Sequence, residues 1–215
     1  MKLVIFDFDG TLADTVPHVI NCILKCINKF DLKKLSYEDV EKYNGSVLSD
    51  VLKALGAKED MIPEIKKYYS EIFLEDLSDI TLYPNVYETL VKLKEENIKL
   101  TIATNRGRNT MVPLLKHLNI EELIEYVICE SDVENKKPHP DMVNKIKEAY
   151  DIESEEILIV GDTAFDVLLG KNSNCDVCAV YYNETPANSL VESNPEFIIN
   201  NFVELLQVSK NKSKK

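Results

Sequence analysis

The sequence lacks any apolar stretch as long as the roughly 18 residues that a membrane-spanning helix needs. It has no apolar segment of the signal-peptide type near its start, because Asp7 and Asp9 interrupt the chain before one could form. Internal repeats and low-complexity linkers are also missing. These absences indicate a cytoplasmic protein with no spanning helix and no membrane partner.

Basic residues are in short supply: 25 lysines and arginines face 37 aspartates and glutamates, which gives a formal net charge of −12. So acidic a chain is poorly suited to non-specific binding of nucleic acid or of an anionic membrane, and we expect no nucleic-acid partner. An anionic substrate stays possible, because a local cation or a bound metal can reverse the field at a site. The 215 residues suit one domain, alone or with a smaller insertion, in a monomer or a homodimer.

The five cysteines are an odd number in a chain without an export signal, which favours free thiols in a reducing compartment. Cys175 and Cys178 have the spacing of a redox or metal-binding pair. A zinc site would need a second pair or nearby histidines, and the sequence offers none there. Burial as small apolar side chains is therefore the favoured interpretation of both thiols.

The beginning of the chain carries the strongest signal. The apolar run that ends at Phe6 does not alternate, which is typical of a strand buried on both faces of a sheet. Asp7, Asp9 and Gly10 follow it directly, and catalytic groups of open α/β sheets lie just beyond the carboxyl ends of strands. Two carboxylates there can hold a hard divalent cation or act as nucleophile and acid–base, whereas an Asp-Gly turn alone would be ordinary.

Apolar periodicity divides the rest of the chain into two parts. The residues up to about 80 are predicted to be all-helical, with helices at 16–30, 36–43, 47–55 and 64–74. From residue 84 onward helices are predicted at 84–94, 110–118, 141–150, 164–171 and 202–208, and strands at 98–103, 126–129, 157–160, 177–180 and 197–199. Such alternation predicts an α/β fold, a doubly wound parallel sheet with helices on both faces. Residues 1–14 and 81–208 would form this core, 15–80 an inserted all-α domain, and 209–215 a disordered basic tail.

Four polar segments follow four of the predicted strands, and in a doubly wound sheet they would gather at one edge. They are Asp7–Thr11, Thr104-Asn105, Lys137-Pro138 and Gly161–Asp166. Singly, each has a plain structural explanation, such as a strand end at Thr104, a solvated lysine at Lys137 or a helix cap at Asp162. Their joint occurrence in this order favours a functional site.

The whole set resembles the haloacid dehalogenase-like hydrolase superfamily, which carries DxDGT, then Thr or Ser after a strand, then Lys, then GDxxxD. All four motifs occur here in that order, and the resemblance covers nearly the whole chain. It implies a Rossmann-like core, and the block at 15–80 resembles the helical cap of the phosphoglycolate phosphatase-like branch. Asn85 departs from the pattern, because relatives usually carry glycine before the helix that follows the cap.

The resemblance also implies a role for each catalytic residue. Asp7 would be the nucleophile that forms an aspartyl-phosphate, and Asp9 the acid–base for the leaving oxygen and the water. The Thr104 hydroxyl and the Asn105 backbone N–H would hold phosphoryl oxygens, while Lys137 would neutralise charge on the transferring group. Positioning and electrostatic stabilisation of this kind account for most of phosphoryl-transfer catalysis.

The implied cofactor is Mg²⁺, which prefers oxygen ligands. Its ligands would be the carboxylates of Asp7 and Asp162 and the backbone carbonyl of Asp9. Asp166 would lie behind these metal ligands or contact Lys137.

Three further residues are candidates for substrate contact. His18 and Gly45 lie in the helical block, where relatives select their substrates. Arg106 follows Thr104-Asn105 directly and could meet a distal carboxylate or phosphate of the substrate. The alternatives are a surface histidine at position 18 and a surface arginine at the start of a helix.

The predicted function is hydrolysis of a small phosphorylated metabolite, with phosphoglycolate the first substrate expectation by resemblance alone. A phosphomutase of the β-phosphoglucomutase type is the main alternative, although those relatives usually carry Glu-Asp where this chain has Gly161-Asp162. Pyrophosphatase, nucleotidase and sugar phosphatase activities stay open. A catalytically silent binding module is disfavoured, because such proteins usually lose one of the motif carboxylates. This chain retains all four, namely Asp7, Asp9, Asp162 and Asp166.

Overall fold

Six parallel strands form the centre of the molecule. The computed structural model describes residues 1–183 and 186–212. Within them the strands are β1 (Leu3–Phe6), β2 (Lys99–Ala103), β3 (Tyr126–Ile128), β4 (Ile157–Gly161), β5 (Asp176–Val180) and β6 (Phe197–Ile199). Their order in the sheet is β3-β2-β1-β4-β5-β6, and every neighbouring pair is parallel. The predicted doubly wound sheet is therefore confirmed. Its strand order reverses beside β1, and open α/β sheets commonly bind ligands at such a point.

Helices cover both faces of the sheet. They are α5 (Val86–Glu95), α6 (Arg108–His117), α7 (Asp141–Tyr150), α8 (Ala164–Asn172), α9 (Asn188–Glu192) and α10 (Leu205–Lys212). Helices α5, α6 and α10 pack on the sheet face that includes Val4 and Phe6. Helices α7, α8 and α9 pack on the opposite face, with Leu3 and Ile5. Because apolar side chains point both ways from β1, burial on both faces stabilises the strand that carries Asp7 at its end.

Four helices lie between β1 and β2. They are α1 (Val16–Lys29), α2 (Tyr37–Glu41), α3 (Leu48–Ala54) and α4 (Ile62–Leu74). In α1 the residues Ile20, Ile23 and Ile27 recur at helical spacing and are buried, as expected of an amphipathic helix. Ser36 caps α2, since its hydroxyl accepts from the N–H of Asp39 at 3.2 Å.

The chain leaves the sheet for these helices and returns at the same place. The Asp14 N–H donates to the Thr81 carbonyl at 2.9 Å, and the Tyr83 N–H donates to the Leu12 carbonyl at 3.0 Å. Two adjacent segments therefore join the helical block to the core. The division of the chain into a core and a separate domain at 15–80 stays a prediction.

The C-terminal segment differs from the prediction. The disordered tail is wrong for residues 209–212, because α10 continues to Lys212. The Lys212 ammonium lies 2.6 Å from Asp176, and 5% of its side chain is exposed, so an ion pair holds the last turn against β5. Residues 213–215 lie outside the described residues. Among the residues that the structure describes, no helix is long and apolar enough to cross a membrane.

Candidate active site

The carboxyl ends of three neighbouring strands meet in one crevice. Asp7 follows β1, Thr104 follows β2 and Asp162 follows β4. Lys137 comes from the segment between β3 and α7, and its peptide bond to Pro138 is cis. The topology therefore brings the four segments singled out in the sequence to one edge of the sheet.

Lys137 joins two carboxylates. Its Nζ donates to Asp7 Oδ1 and to Asp166 Oδ1, both at 2.7 Å, and 3% of the lysine side chain is exposed. Thr163 fixes Asp166 in turn, because its backbone N–H and its hydroxyl donate to Asp166 Oδ2 at 3.1 and 2.7 Å. The capping box at the start of α8 thus orients the carboxylate that holds the lysine beside Asp7.

Asp7, Asp162 and Asp166 form a carboxylate cluster, in which one oxygen of each residue lies within 4.8 Å of the others. The Thr11 hydroxyl donates to Asp162 Oδ1 at 2.7 Å, and the Asn44 amide approaches Asp162 Oδ2 at 3.4 Å. The cluster holds three carboxylates against one ammonium, so it carries excess negative charge when all are ionised.

The pKa values reflect this crowding. Burial raises the pKa of Asp7 to about 7, the Lys137 charge opposes the rise, and the charges of Asp166 and Asp9 add to it. Burial and the charges of Asp7 and Asp166 also raise the pKa of Asp162 well above its usual value. Burial alone would lower the pKa of Lys137, but Asp166 and Asp7 outweigh it and raise that pKa. A hard divalent cation would relieve the excess charge, and an all-oxygen donor set fits Mg²⁺.

Asp9 is engaged by an arginine. Arg106 donates from Nη2 to Asp9 Oδ1 at 2.6 Å and from Nε to Asp9 Oδ2 at 2.9 Å, and the Thr15 hydroxyl donates to Asp9 Oδ1. The Arg106 side chain is 4% exposed. The structure therefore places this predicted substrate-binding residue against the acid–base candidate. The motif pattern gave no indication of Thr15, which the turn between β1 and α1 brings back to Asp9.

Asn105 links the helical block to the lysine segment through its side chain. Its Nδ2 donates to the Gly45 carbonyl at 2.8 Å, and its Oδ1 accepts from the Lys137 backbone N–H at 3.2 Å. The Thr104 hydroxyl accepts from the Arg106 backbone N–H at 3.1 Å. These two side chains therefore hold together the loops that surround the carboxylate cluster.

A cavity of about 100 Å³ adjoins these groups and lies between the core and the helical block. Gly45 and Arg106 line it, as do apolar side chains of the helical block, namely Val16, Val19, Ile20, Ile23, Val40, Leu48 and Val51. His18 is not among the lining residues. Its Nε2 lies 3.0 Å from the Phe73 carbonyl, and its ring meets the Phe73 ring edge-on, so the histidine packs between α1 and α4.

Two polar contacts across the cavity were not predicted from the sequence. The Lys66 ammonium on α4 lies 2.5 Å from Glu130, which follows β3, and the Asn109 amide on α6 donates to the Ser70 hydroxyl on α4 at 2.6 Å. Lys66 and Glu130 are 64 positions apart, and no spacing rule joins residues at that separation. Only the tertiary structure identifies these contacts.

Cys175 and Cys178 pack on opposite faces of the sheet. Cys175 packs with the α7 and α8 side of the sheet, whereas Cys178 packs on the opposite side. All five cysteines are buried and free. This arrangement agrees with the interpretation of both thiols as small apolar side chains.

Known proteins share both the sequence and the fold of this chain. The model of the haloacid dehalogenase-like hydrolase family matches residues 4–180. Pyrophosphatase PpaX of Bacillus cereus (strain B4264) is 30% identical over 213 residues, which cover 98% of this chain and 97% of the relative. The crystal structure of a predicted phosphoglycolate phosphatase from Haemophilus somnus 129pt has a TM-score of 0.86 at 26% identity, covering 97% of this chain and 98% of that one. A haloacid dehalogenase-like hydrolase from Streptococcus pneumoniae shares the fold, with a TM-score of 0.82 at 20% identity and coverage of 97% and 98%.

The family match includes every motif at the crevice, from Asp7 to Asp166. The relatives align with this chain over nearly their whole length. Sequence motifs, fold and relatives thus agree. The chain belongs to the haloacid dehalogenase-like hydrolase family and is a hydrolytic enzyme.

Proposed function

We propose that the enzyme is a Mg²⁺-dependent phosphatase that hydrolyses a small phosphorylated metabolite through an aspartyl-phosphate intermediate. The contact of Lys137 with both Asp7 and Asp166, beside Asp162, carries the proposal. It supplies a buried carboxylate nucleophile, a fixed ammonium and metal donors at one point of the sheet edge. Positioning and charge stabilisation of this kind are what phosphoryl transfer requires.

The reaction would proceed in two displacements at phosphorus. In the first, an Asp7 oxygen attacks phosphorus, the bond from phosphorus to the leaving oxygen breaks, and Asp9 gives that oxygen a proton. In the second, a water oxygen attacks phosphorus, Asp9 accepts the proton of the water, and the bond from phosphorus to Asp7 breaks. The Thr104 hydroxyl and the Asn105 N–H would hold phosphoryl oxygens in both steps, and Lys137 would balance their charge.

Asp7 and Asp162 would hold Mg²⁺ with their carboxylates, and the Asp9 backbone carbonyl is a further expected ligand. When bound, the ion supplies positive charge that stabilises the phosphoryl oxygens. Asp166 is paired with Lys137, so we assign it the role of orienting the lysine.

The cavity between the core and the helical block is the proposed place of the leaving group. Its volume of about 100 Å³ suits a small metabolite. The helical block would act as a cap that excludes water during the first displacement. Phosphoglycolate and pyrophosphate are the first substrates to test, because the relatives described above carry those names.

A phosphomutase is less well supported. The mutase relatives described above from sequence resemblance usually carry glutamate where this chain has Gly161. A Cβ atom at Gly161 would lie 2.3 Å from the Asp166 side chain, so a glutamate would displace the residue that orients Lys137.

The test is an assay of phosphate release from a panel that contains phosphoglycolate, pyrophosphate, sugar phosphates and nucleotides. We expect release with Mg²⁺, none in excess EDTA, and a loss of at least about 1,000-fold in Asp7→Asn, since that change removes the nucleophile. Asp60→Asn, at an exposed carboxylate, is the matched control and should keep full activity.

A separate binding measurement tests the metal site. Mg²⁺ should raise the melting temperature of the wild-type protein, because it binds the folded carboxylate cluster, and the rise should be much smaller in Asp162→Asn. Full activity in Asp7→Asn, or activity that survives EDTA, would overturn the proposed mechanism. Isomerisation of a sugar phosphate without net phosphate release would favour the mutase.

A further inference from the structure

Each nitrogen of the Arg106 guanidinium donates a hydrogen bond to another residue of the protein. Nε and Nη2 donate to Asp9, and Nη1 donates to the Thr110 hydroxyl at 3.1 Å. The guanidinium also lies over the Phe73 ring of α4, with 4.4 Å from its central carbon to the ring centroid. A side chain held on all these sides is pre-organised, and it has little freedom to follow a substrate.

The two oxygens of Asp9 are not equivalent. Oδ1 accepts from Arg106 Nη2 at 2.6 Å, from Arg106 Nε at 3.1 Å and from the Thr15 hydroxyl. Oδ2 accepts only from Arg106 Nε, at 2.9 Å, among the described residues. A carboxylate has about four acceptor positions, two on each oxygen, so Oδ1 with its three donors is saturated while Oδ2 with one donor keeps a free position.

We infer that Arg106 is a positioning residue for Asp9: with Thr15 it anchors Oδ1, fixes the direction of the side chain and leaves Oδ2 as the oxygen that meets the leaving group. This inference rests on the proposed function, in which Asp9 is the acid–base. It departs from the expectation that Arg106 reads an anionic group of the substrate. Arginine suits the task because its planar fork contacts both oxygens of a carboxylate at once.

The anchor also connects Asp9 to the helical block. Phe73 lies on α4, and its carbonyl and ring contact His18 on α1. A shift of α4 would therefore remove the surface against which Arg106 rests. Since Arg106 positions the Asp9 side chain, the position of α4 affects the geometry of proton transfer from Asp9.

The test compares substrates that differ in how much their leaving group needs a proton. An aryl phosphate such as p-nitrophenyl phosphate releases a stable anion, whereas glycerol phosphate releases an alkoxide that must be protonated. We expect Arg106→Met to lower kcat/KM for glycerol phosphate by about 100-fold and for the aryl phosphate by less than about 10-fold, which is the pattern of a lost general acid. The value of kcat/KM reports the first displacement in both cases.

Three companion variants separate positioning from folding. Thr15→Val keeps the shape and removes one donor to Oδ1, so it should show the same leaving-group dependence with a smaller loss. In an Asp9→Asn background, Arg106→Met should cause no further loss with glycerol phosphate, because the two residues act as one unit. Arg106→Lys, which keeps the charge but not the fork, should restore only part of the activity.

Other outcomes would overturn the inference. Equal losses for both leaving groups, or additive losses with Asp9→Asn, would make Arg106 a structural residue. A higher KM confined to phosphoglycolate, with glycerol phosphate unaffected, would make it a reader of the substrate carboxylate. Failure of the proposed function itself is a different result, since the wild-type protein would then release no phosphate from any of these compounds.

Discussion

Single residues in this protein derive their chemistry from burial and from one or two neighbours. Burial raises the pKa of Asp7, and the Lys137 ammonium, 2.7 Å away, opposes that rise without cancelling it. For the thiol groups of the cysteines, burial is the largest influence on the pKa. Burial raises the pKa of Cys22, Cys129 and Cys175 to about 11 and of Cys26 and Cys178 to about 12.

A thiol reagent should therefore react slowly with the folded protein. At pH 8 a pKa of about 11 leaves about one thiol in a thousand ionised, and the thiolate is the reactive form. We expect all five cysteines to react with Ellman's reagent within minutes in denaturant, whereas fewer than one should react in the native state. The native rate should rise with pH, because more thiolate forms as the pH approaches the raised pKa values.

Rapid native labelling at pH 8 would contradict this account. In particular, fast reaction of both Cys175 and Cys178 would restore the possibility of a redox pair. Mass spectrometry after brief labelling would identify which thiols had reacted.

At the scale of elements, asparagine and aspartate adopt the left-handed backbone conformation that glycine usually supplies after a helix. The chain has only six glycines. Within residues 1–183 and 186–212, six helices are followed within two residues by a non-glycine residue with a positive φ. These residues are Asp31, Asn97, Asn119, Asp151, Asn174 and Asn194, with φ between 49° and 60°. Left-handed backbone is costly for most side chains, and asparagine and aspartate tolerate it best. Asn85, at φ 66° before α5, solves the same problem where relatives usually carry glycine.

Asn97→Gly, just after α5, should therefore stabilise the protein. Its φ of 60° is unstrained for glycine, and we expect a gain of about 0.5 kcal/mol in the free energy of unfolding after the extra freedom of the unfolded chain is subtracted. The matched change Asn97→Ala should lower the free energy of unfolding by about 1 kcal/mol, because alanine, unlike glycine or asparagine, is strained in left-handed backbone. Urea titration of the three proteins measures both values, and a gain with alanine would refute the explanation.

At the scale of the whole molecule, the helical block and the core meet through polar contacts that surround the cavity. Asn44 reaches Asp162, Asn105 reaches Gly45, and Lys66 reaches Glu130. Each contact has one member in the block and one in the core. The block therefore rests on the loops that surround the carboxylate cluster, so the position of the block and the arrangement of these loops are linked.

The Lys66–Glu130 pair can be measured by a double-mutant cycle with Lys66→Met and Glu130→Gln. We expect a coupling of about 0.5–1 kcal/mol in unfolding, at the upper end for a surface pair, since 8% of the Glu130 side chain but 37% of that of Lys66 is exposed. The exposed Lys42–Asp39 pair, at a similar distance of 2.6 Å, should show no measurable coupling. Equal coupling in the two pairs would show that the contact between block and core adds nothing.

Local sequence determined much of this protein. Apolar runs without alternation identify β1 and β4, since strands buried on both faces have no polar side to show. Helical periodicity and the Ser36 cap identify α1 and α2, because spacing and capping act within a few residues. The order of the motifs indicated the family, and strand topology then explains why Asp7, Thr104, Lys137 and Asp162 meet.

Only the tertiary structure decided what lies across those segments. The pairing of Arg106 with Asp9, the contact of Lys66 with Glu130 and the packing of His18 on Phe73 join residues 97, 64 and 55 positions apart. The ordered end of α10 likewise depends on Asp176, 36 positions before Lys212. A sequence motif indicates which side chains must lie close together for the reaction. The direction in which each side chain points depends on the neighbours that folding supplies, and those neighbours leave no periodic trace in the sequence.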